Sequence, residues 1–336
     1  MKNQRIIKSK NDTFYIRPYT DKDEEKVIKL WETAFNSKID KDIWKWKYHT
    51  NPYGNQIMLC LNELGDAISM YGGTPLNANW KNRDFMMTQL TDVMSHPEYR
   101  HITIEGKRLF ILTAEHFFDI FSGPPSNLFY YGFPGERSSR VGIHHLSYSK
   151  IAEGGIYLST STHKFKNSFL FGFGSVSKQT EAKEDFNKFW KEAKSYYPFS
   201  IVRDSKFLKW RFFDKPDQNY QVYIYKNIVG NILAYAIISI RNKKATLVDV
   251  LALPNKKVIQ NLFYAIGKDI QKSGVLLMQS WLPRKHFVVD YLIQIGFEEN
   301  VEPLGIIPTG RSFDESLDIN FAKNNIYYTM GDGDLF

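Results

Sequence analysis

Apolar positions change their spacing several times along the chain, and each change marks an element. Val27, Leu30, Trp31 and Ala34 recur at helical spacing and predict a helix from about Asp21 to Phe35, capped by Thr20, after a strand at Phe14–Pro18. Gln56–Asn62 alternates as a strand, Gly65-Asp66 turns the chain, and Ala67–Gly72 runs back. A third strand over Thr91–Pro97, a helical face at Leu109, Leu112 and His116, and a fourth strand over Leu128–Gly132 follow.

The same order then recurs. Strands at Tyr220–Lys226 and Ile232–Ile240 flank a turn at Gly230-Asn231. A strand over Val248–Pro254, a helical face at Val258, Leu262, Ala265 and Ile266, and a strand over Val275–Leu282 come next. Smaller marks repeat too. Trp46-Lys47-Tyr48 has Pro52 six residues after its Trp, and Trp210-Arg211-Phe212 has Pro216 at the same spacing. Asp92 precedes Pro97 by five residues, as Asp249 precedes Pro254. The repeat predicts an α/β fold of the α+β type: two units, each a mixed, mostly antiparallel sheet flanked by helices. The expected division is residues 1–150, a linker and connecting helix over 151–198, and residues 199–336. Ser149–Ser177, rich in Gly, Ser and Thr, is the expected crossover. A helix from about Thr180 to Tyr196 follows it, with Phe186, Phe189, Trp190 and Ala193 inward.

A length of 336 residues suits two domains. The single cysteine, Cys60, excludes a disulfide scaffold and a cysteine-rich zinc site. Its place among Met58, Leu59 and Leu61 predicts a buried, inert thiol. The net charge of +8 suits an anionic partner, whether nucleotide, phosphorylated ligand or nucleic acid. The first residues, Met1 to Arg5, lack the apolar core of a signal peptide. Ile232–Ile240, the longest apolar stretch, is about half the ~20 residues of a membrane helix, so no membrane insertion and a cytoplasmic location are expected.

Three passages resemble the GNAT acyltransferase superfamily in a tandem arrangement. Thr91-Asp92-Val93-Met94-Ser95-His96-Pro97-Glu98-Tyr99-Arg100 is similar to its central strand and the following loop. Tyr131-Gly132-Phe133-Pro134 with Ser138-Ser139 resembles the next strand and short helix, and Tyr291–Phe297 the closing helix. The resemblance implies two GNAT-like units and acetyl-CoA, or another acyl-CoA, as co-substrate without a metal. It assigns the coenzyme to Val93, Met94, Arg100, His101, Ile102, Thr103 and Ile104, where backbone N–H groups at a helix start would hold the pyrophosphate. Asp92 is the expected base, acting through a water, and one of Tyr130 and Tyr131, on alternate faces of the facing strand, the expected acid, with Tyr131 the first choice.

The loop departs from the family pattern. Thr103 and Glu105 take its two small positions, and Gly106 comes one residue late. A Glu105 carboxylate in the first helical turn would repel a pyrophosphate by about 4 kcal/mol per charge pair at ~4 Å and an effective dielectric of ~20. The second copy reads Asn255-Lys256-Lys257 after Pro254, without the arginine or a glycine, and is expected to be structural or substrate-shaping. Ser138 and Ser139 read as helix-capping residues, and the His144-His145 pair as pointing to opposite faces of a strand. Gly331-Asp332-Gly333-Asp334 reads as a flexible acidic tail. By resemblance to the enhanced-survival type of tandem acetyltransferase, it alternatively carries a carboxylate into the first cleft.

The implied activity is acyl transfer to an amine acceptor, such as an amino sugar or a cell-envelope precursor, by direct attack on the thioester. Two alternatives stand beside it: a Fem-type aminoacyl transferase using charged tRNA, favoured by the basic charge, and a catalytically inactive GNAT-like binding protein.

Overall fold

The chain parts into two units that interleave in sequence: residues 1–76, 86–149 and 309–318 form the first, and 77–85, 150–308 and 319–336 the second. The computed structural model describes residues 3–9, 12–124, 127–152, 156–167, 174–216 and 219–334. The stretch 151–198, set apart above as linker and helix, belongs to the second unit, and 309–318 belongs to the first. Strand pairing decides this: Thr309–Ser312 joins the first unit's sheet, a long-range choice invisible to local pattern.

The first unit contains β1 (Arg5–Lys8), β2 (Thr13–Pro18), α1 (Glu24–Phe35), α2 (Lys41–Tyr48), β3 (Gln56–Leu61), β4 (Ala67–Trp80), β5 (Arg83–Ser95), α3 (Leu109–Phe121), β6 (Phe129–Gly132) and α4 (Glu136–His145). The hairpin tip shared by β4 and β5, residues 77–85, is counted with the second unit. The strands lie in chain order from β1 to β6, and Thr309–Ser312 pairs antiparallel with β6. Alternation sorts β3 between two cores. Ile57, Leu59 and Leu61 join Val27, Leu30, Trp44 and Tyr48 of the α1–α2 side, while Met58 and Cys60 join Leu112, Phe117 and Tyr130 on the α3 side. Thr20 is the N-cap of the helical run, as expected, but the first turn, Asp21–Asp23, is 3-10 and leads directly into α1. Its Asp23 carboxylate accepts from the Thr20 N–H and hydroxyl and from Arg17 at 2.7 Å.

The second unit contains β7 (Ile156–Ser161), β8 (Gly174–Gln179), α5 (Asp185–Ala193), β9 (Tyr220–Asn227), β10 (Ile232–Arg241), β11 (Lys244–Ala252), α6 (Lys256–Gln271), β12 (Leu277–Leu282), α7 (Phe287–Gln294) and β13 (Glu298–Asn300). Its sheet runs β8-β9-β10-β11-β12-β7-β13. The expected crossover therefore supplies two strands. Their Ser and Thr residues tolerate an extended backbone, and Leu158 and Thr160 alternate inward. Phe186, Phe189, Trp190 and Ala193 of α5 are buried as the spacing predicts.

Candidate functional site

The parallel strands β5 and β6 pair only over Met87–Gln89 and Phe129–Tyr131, and β5 then continues to Ser95. This parting begins beside a bulge. Leu90 and Val93 pack toward α3, and Met94 toward α1 and α2. Between them, Thr91 and Asp92 both reach Tyr48 at the end of α2. Two successive side chains on one face mark one extra residue in the strand. Asp92 has a left-handed φ of 51°, which supplies the kink.

The Asp92 carboxylate accepts from Lys47 Nζ at 3.0 and 3.1 Å and from the Tyr48 hydroxyl at 2.6 Å, and all three side chains are largely enclosed. These bonds tie the bulge in β5 to the end of α2. Sequence reading marked Trp46-Lys47-Tyr48 as a repeat without seeing this role. The available signal was a lysine inside a buried aromatic run. Gly72 and Gly73 on β4 were missed as well. A Cβ on Gly72 would lie 2.8 Å from the Thr91 carbonyl and 3.1 Å from the Tyr48 hydroxyl.

Beyond the bulge, the His96 N–H bonds to the Ile68 carbonyl of β4 at 2.8 Å. Alternation then turns the main-chain groups of Ser95 and Val93 toward the parting, and those of Met94 toward β4. Val93 thus lies at the open edge, whereas Met94 is buried in the α1–α2 core. Arg100 is exposed and its Nε donates to the Ser95 carbonyl at 3.2 Å.

The segment after Arg100 differs from the expected helix start. The Ile102 N–H donates to Tyr99, and its carbonyl accepts from Leu109. Thr103 and Ile104 pair with Arg108 and Lys107 in a hairpin closed by Glu105 and Gly106, whose φ values are 53° and 77°. Two successive left-handed residues make the tight turn that right-twisted strands favour. Glu105 is therefore an exposed hairpin tip, so the repulsion expected from a first helical turn does not arise there. His101 is exposed. The helix start lies at Leu109, where Arg108 is the N-cap without a side-chain capping bond. A helix start of this kind leaves first-turn N–H groups, here those of Phe110 and Ile111, without intrahelical acceptors. An anion site built on this helix falls several residues later than the sequence placed it.

Tyr131 is the last β6 residue paired with β5, so it stands where the strands separate, and it is buried. Tyr130 faces the other way, between Phe117 and Phe118, and burial pushes its phenol well above the usual range. Ser138 and Ser139 lie inside α4, where the Ser139 hydroxyl donates to the Glu136 carbonyl at 2.8 Å. His144 and His145 occupy the last turn of α4 rather than a strand. Among the described residues, no cluster of three or more His, Cys, Asp or Glu is placed to hold a metal.

In the second unit, Asp249 holds the place matching Asp92 with other partners: Arg203 at 3.2 Å, Tyr235 at 2.6 Å and Thr329 at 2.8 Å. The tail is not a flexible acidic end over its described part. Met330, Gly331 and Asp332 are buried, and Asp332 pairs with Arg203 of the same unit at 2.5 Å. The reason is an interior guanidinium that needs anionic partners. The terminal carboxylate lies outside the described residues.

Residues 15–108 match the family described as Acetyltransferase (GNAT) domain. No curated protein matches the sequence. Among solved structures, the chain is similar to a probable N-acyltransferase of unknown function from Enterococcus faecalis, at 15% identity and TM-score 0.67, covering 89% of this chain and 72% of that one. A GCN5-related N-acetyltransferase from Anabaena variabilis matches at 12% identity and TM-score 0.66, covering 90% and 73%. An N-myristoyltransferase from Saccharomyces cerevisiae with bound myristoyl-CoA matches at 9% identity and TM-score 0.56, covering 91% and 84%. At these identities the likeness speaks to fold. No helix among the described residues is long and apolar enough to cross a membrane.

Proposed function

We propose that this chain, which has the GNAT fold and matches a GNAT acetyltransferase domain over residues 15–108, is an acyl-CoA-dependent N-acyltransferase with its coenzyme cleft in the first unit. The carrying observation is the parting of β5 and β6 beyond Gln89 and Tyr131, with the main chain of Val93 turned into it. Pantetheine amides pair with that edge as an added strand would. The pyrophosphate lies at the start of α3, on the Phe110 and Ile111 N–H groups, with Arg100 and Arg108 supplying positive charge. The neutral acceptor amine attacks the thioester carbon, the carbonyl oxygen takes up the developing charge, the nitrogen gives up its proton to water, and collapse expels the thiolate. Tyr131, at the point of parting, donates a proton to that thiolate and recovers one from water. Asp92 acts through Lys47 and Tyr48 as a positioning residue. An amino sugar or other amine-bearing envelope precursor is the acceptor class to screen first, in the cytoplasm.

The test is calorimetric titration with acetyl-CoA. The expected result is micromolar binding, weakened about tenfold in Arg100→Ala, while Tyr131→Phe binds normally and turns over about 10²-fold more slowly. Absence of binding at millimolar coenzyme sinks the reading.

A further inference from the structure

The second unit has a parting of its own. Strands β11 and β12 run parallel only to the rung Thr246↔Gln279. The Leu253 N–H bonds to the Leu233 carbonyl at 3.0 Å, which turns the N–H and C=O of Ala252, and by alternation the C=O of Val250, toward the parted side. In an open parting these groups await an added strand or a ligand amide. Here they are occupied. The Tyr197 hydroxyl accepts from the Ala252 N–H at 2.9 Å and donates to its carbonyl at 2.7 Å, and the Tyr327 hydroxyl donates to the Val250 carbonyl.

Tyr327 arrives on the C-terminal segment. Ile326 and Tyr327 pair parallel with Phe199 and Ser200, and the chain then passes along both parted strands. The Thr329 hydroxyl donates to Asp249 of β11 at 2.8 Å, and the Tyr328 ring lies 5.8 Å from that of Trp281 on β12. Gly331 approaches so closely that a Cβ would lie 3.2 Å from the Val248 carbonyl and 2.8 Å from the Phe212 ring. Two buried arginines hold the segment. Arg203 bridges Asp249 and Asp332, and Arg211 donates to the Gly331 and Gly333 carbonyls at 2.8 and 2.9 Å.

We infer that this parting is a peptide site whose ligand is the chain's own segment 326–333, read by Arg203 through the Asp332 carboxylate and by Arg211 through two glycine carbonyls. It is consequently closed to coenzyme. That last consequence rests on the acyl-CoA reading of the first unit, and the peptide site itself does not.

Amide hydrogen exchange on the full chain tests it. In the unaltered protein, residues 327–333 should exchange at least ~100-fold more slowly than the free peptide 326–336. Gly331→Ala should speed exchange in both 327–333 and 248–252 while leaving 57–61 of the first unit unchanged. Arg203→Met should act in the same direction. Free-peptide rates over 327–333, or unchanged protection in Gly331→Ala, overturn the inference. A parallel titration with acetyl-CoA separates the two claims. One site per chain agrees with a closed second parting, and two sites overturn it. No site, with the tail still protected, sinks the coenzyme reading and leaves the peptide site standing.

Discussion

Lys47 Nζ lies 3.0 Å from Asp92 Oδ2, so the end of α2 is tied to the one β5 residue with a left-handed backbone. The ion pair is nearly enclosed, and removing one partner leaves a buried charge uncompensated. Lys47→Met is expected to destabilise by about 3–5 kcal/mol. The double variant Lys47→Met/Asp92→Asn should recover part of that loss, because neither charge remains. Urea denaturation of the four species measures the coupling, and additive losses would mean the pair does not act as a unit.

Gly72 faces the same bulge from β4. A methyl there meets the Thr91 carbonyl and the Met70 Cε at 2.8 Å. Backbone cannot retreat as a flexible side chain can, so Gly72→Ala should cost about 1–3 kcal/mol and weaken coenzyme binding through a displaced β5. Gly54, with nothing within 4 Å of a Cβ, is the control for crowding, although its φ of 85° adds backbone strain of its own.

Glu105 stands at a hairpin tip with φ of 53°. Glycine tolerates that region without the Cβ penalty, so Glu105→Gly should leave stability unchanged or raise it by up to about 1 kcal/mol. Acetyl-CoA affinity should change less than about threefold, since the carboxylate is not in the first turn of α3. A large gain in affinity would show instead that the tip folds over the pyrophosphate.

Burial pushes the Cys60 thiol up to about 12, with the Thr113 hydroxyl opposing slightly. The thiolate is the reactive form, so iodoacetamide at pH 8 should leave Cys60 unmodified in the folded protein and label it in urea. Rapid labelling without denaturant would mean that the α3-side core opens.

His286 lies against the rings of Tyr197, Tyr327 and Phe287, and desolvation pushes its imidazole down to about 3, aided by nearby Arg203. The unfolded chain, with a value near 6.5, takes up the proton first. The stability from a neutral His286 is therefore present above pH 6.5 and lost as pH falls toward 3. Comparing Tm at pH 7 and pH 4.5, the unaltered protein should lose more than His286→Asn, whose amide oxygen replaces His286 Nδ1 as the N-cap acceptor for the Val288 N–H. Equal losses would remove His286 from the acid response.

The alternation of Gln56–Leu61, the turn at Gly65, the helical stripe of α3 and their recurrence after Tyr220 were legible in sequence. Each rests on contacts between near neighbours or on which face of an element is apolar. So did the burial of Cys60 and the inward face of α5. The candidate site was legible as a region, from Asp92 to the start of α3, and less so residue by residue. Asp92 was visible, but not that Lys47 and Tyr48 occupy its carboxylate, because those groups meet across 44 to 45 positions.

The displaced helix start has a similar origin. A hairpin of two residues per strand leaves no periodicity to read, and left-handed φ values at Glu105 and Gly106 settle it. The tail shows the limit most clearly. Gly331-Asp332-Gly333-Asp334 has the composition of a solvated end, and local physics alone would leave it there. Only the folded second unit presents Arg203 and Arg211 in an interior where their charge and donors require partners, and those partners come from more than a hundred residues away. What depends on the spacing of neighbours was determined by sequence alone. What depends on satisfying buried charge and strand edges was decided by the tertiary structure, since those costs exist only once distant segments exclude water together.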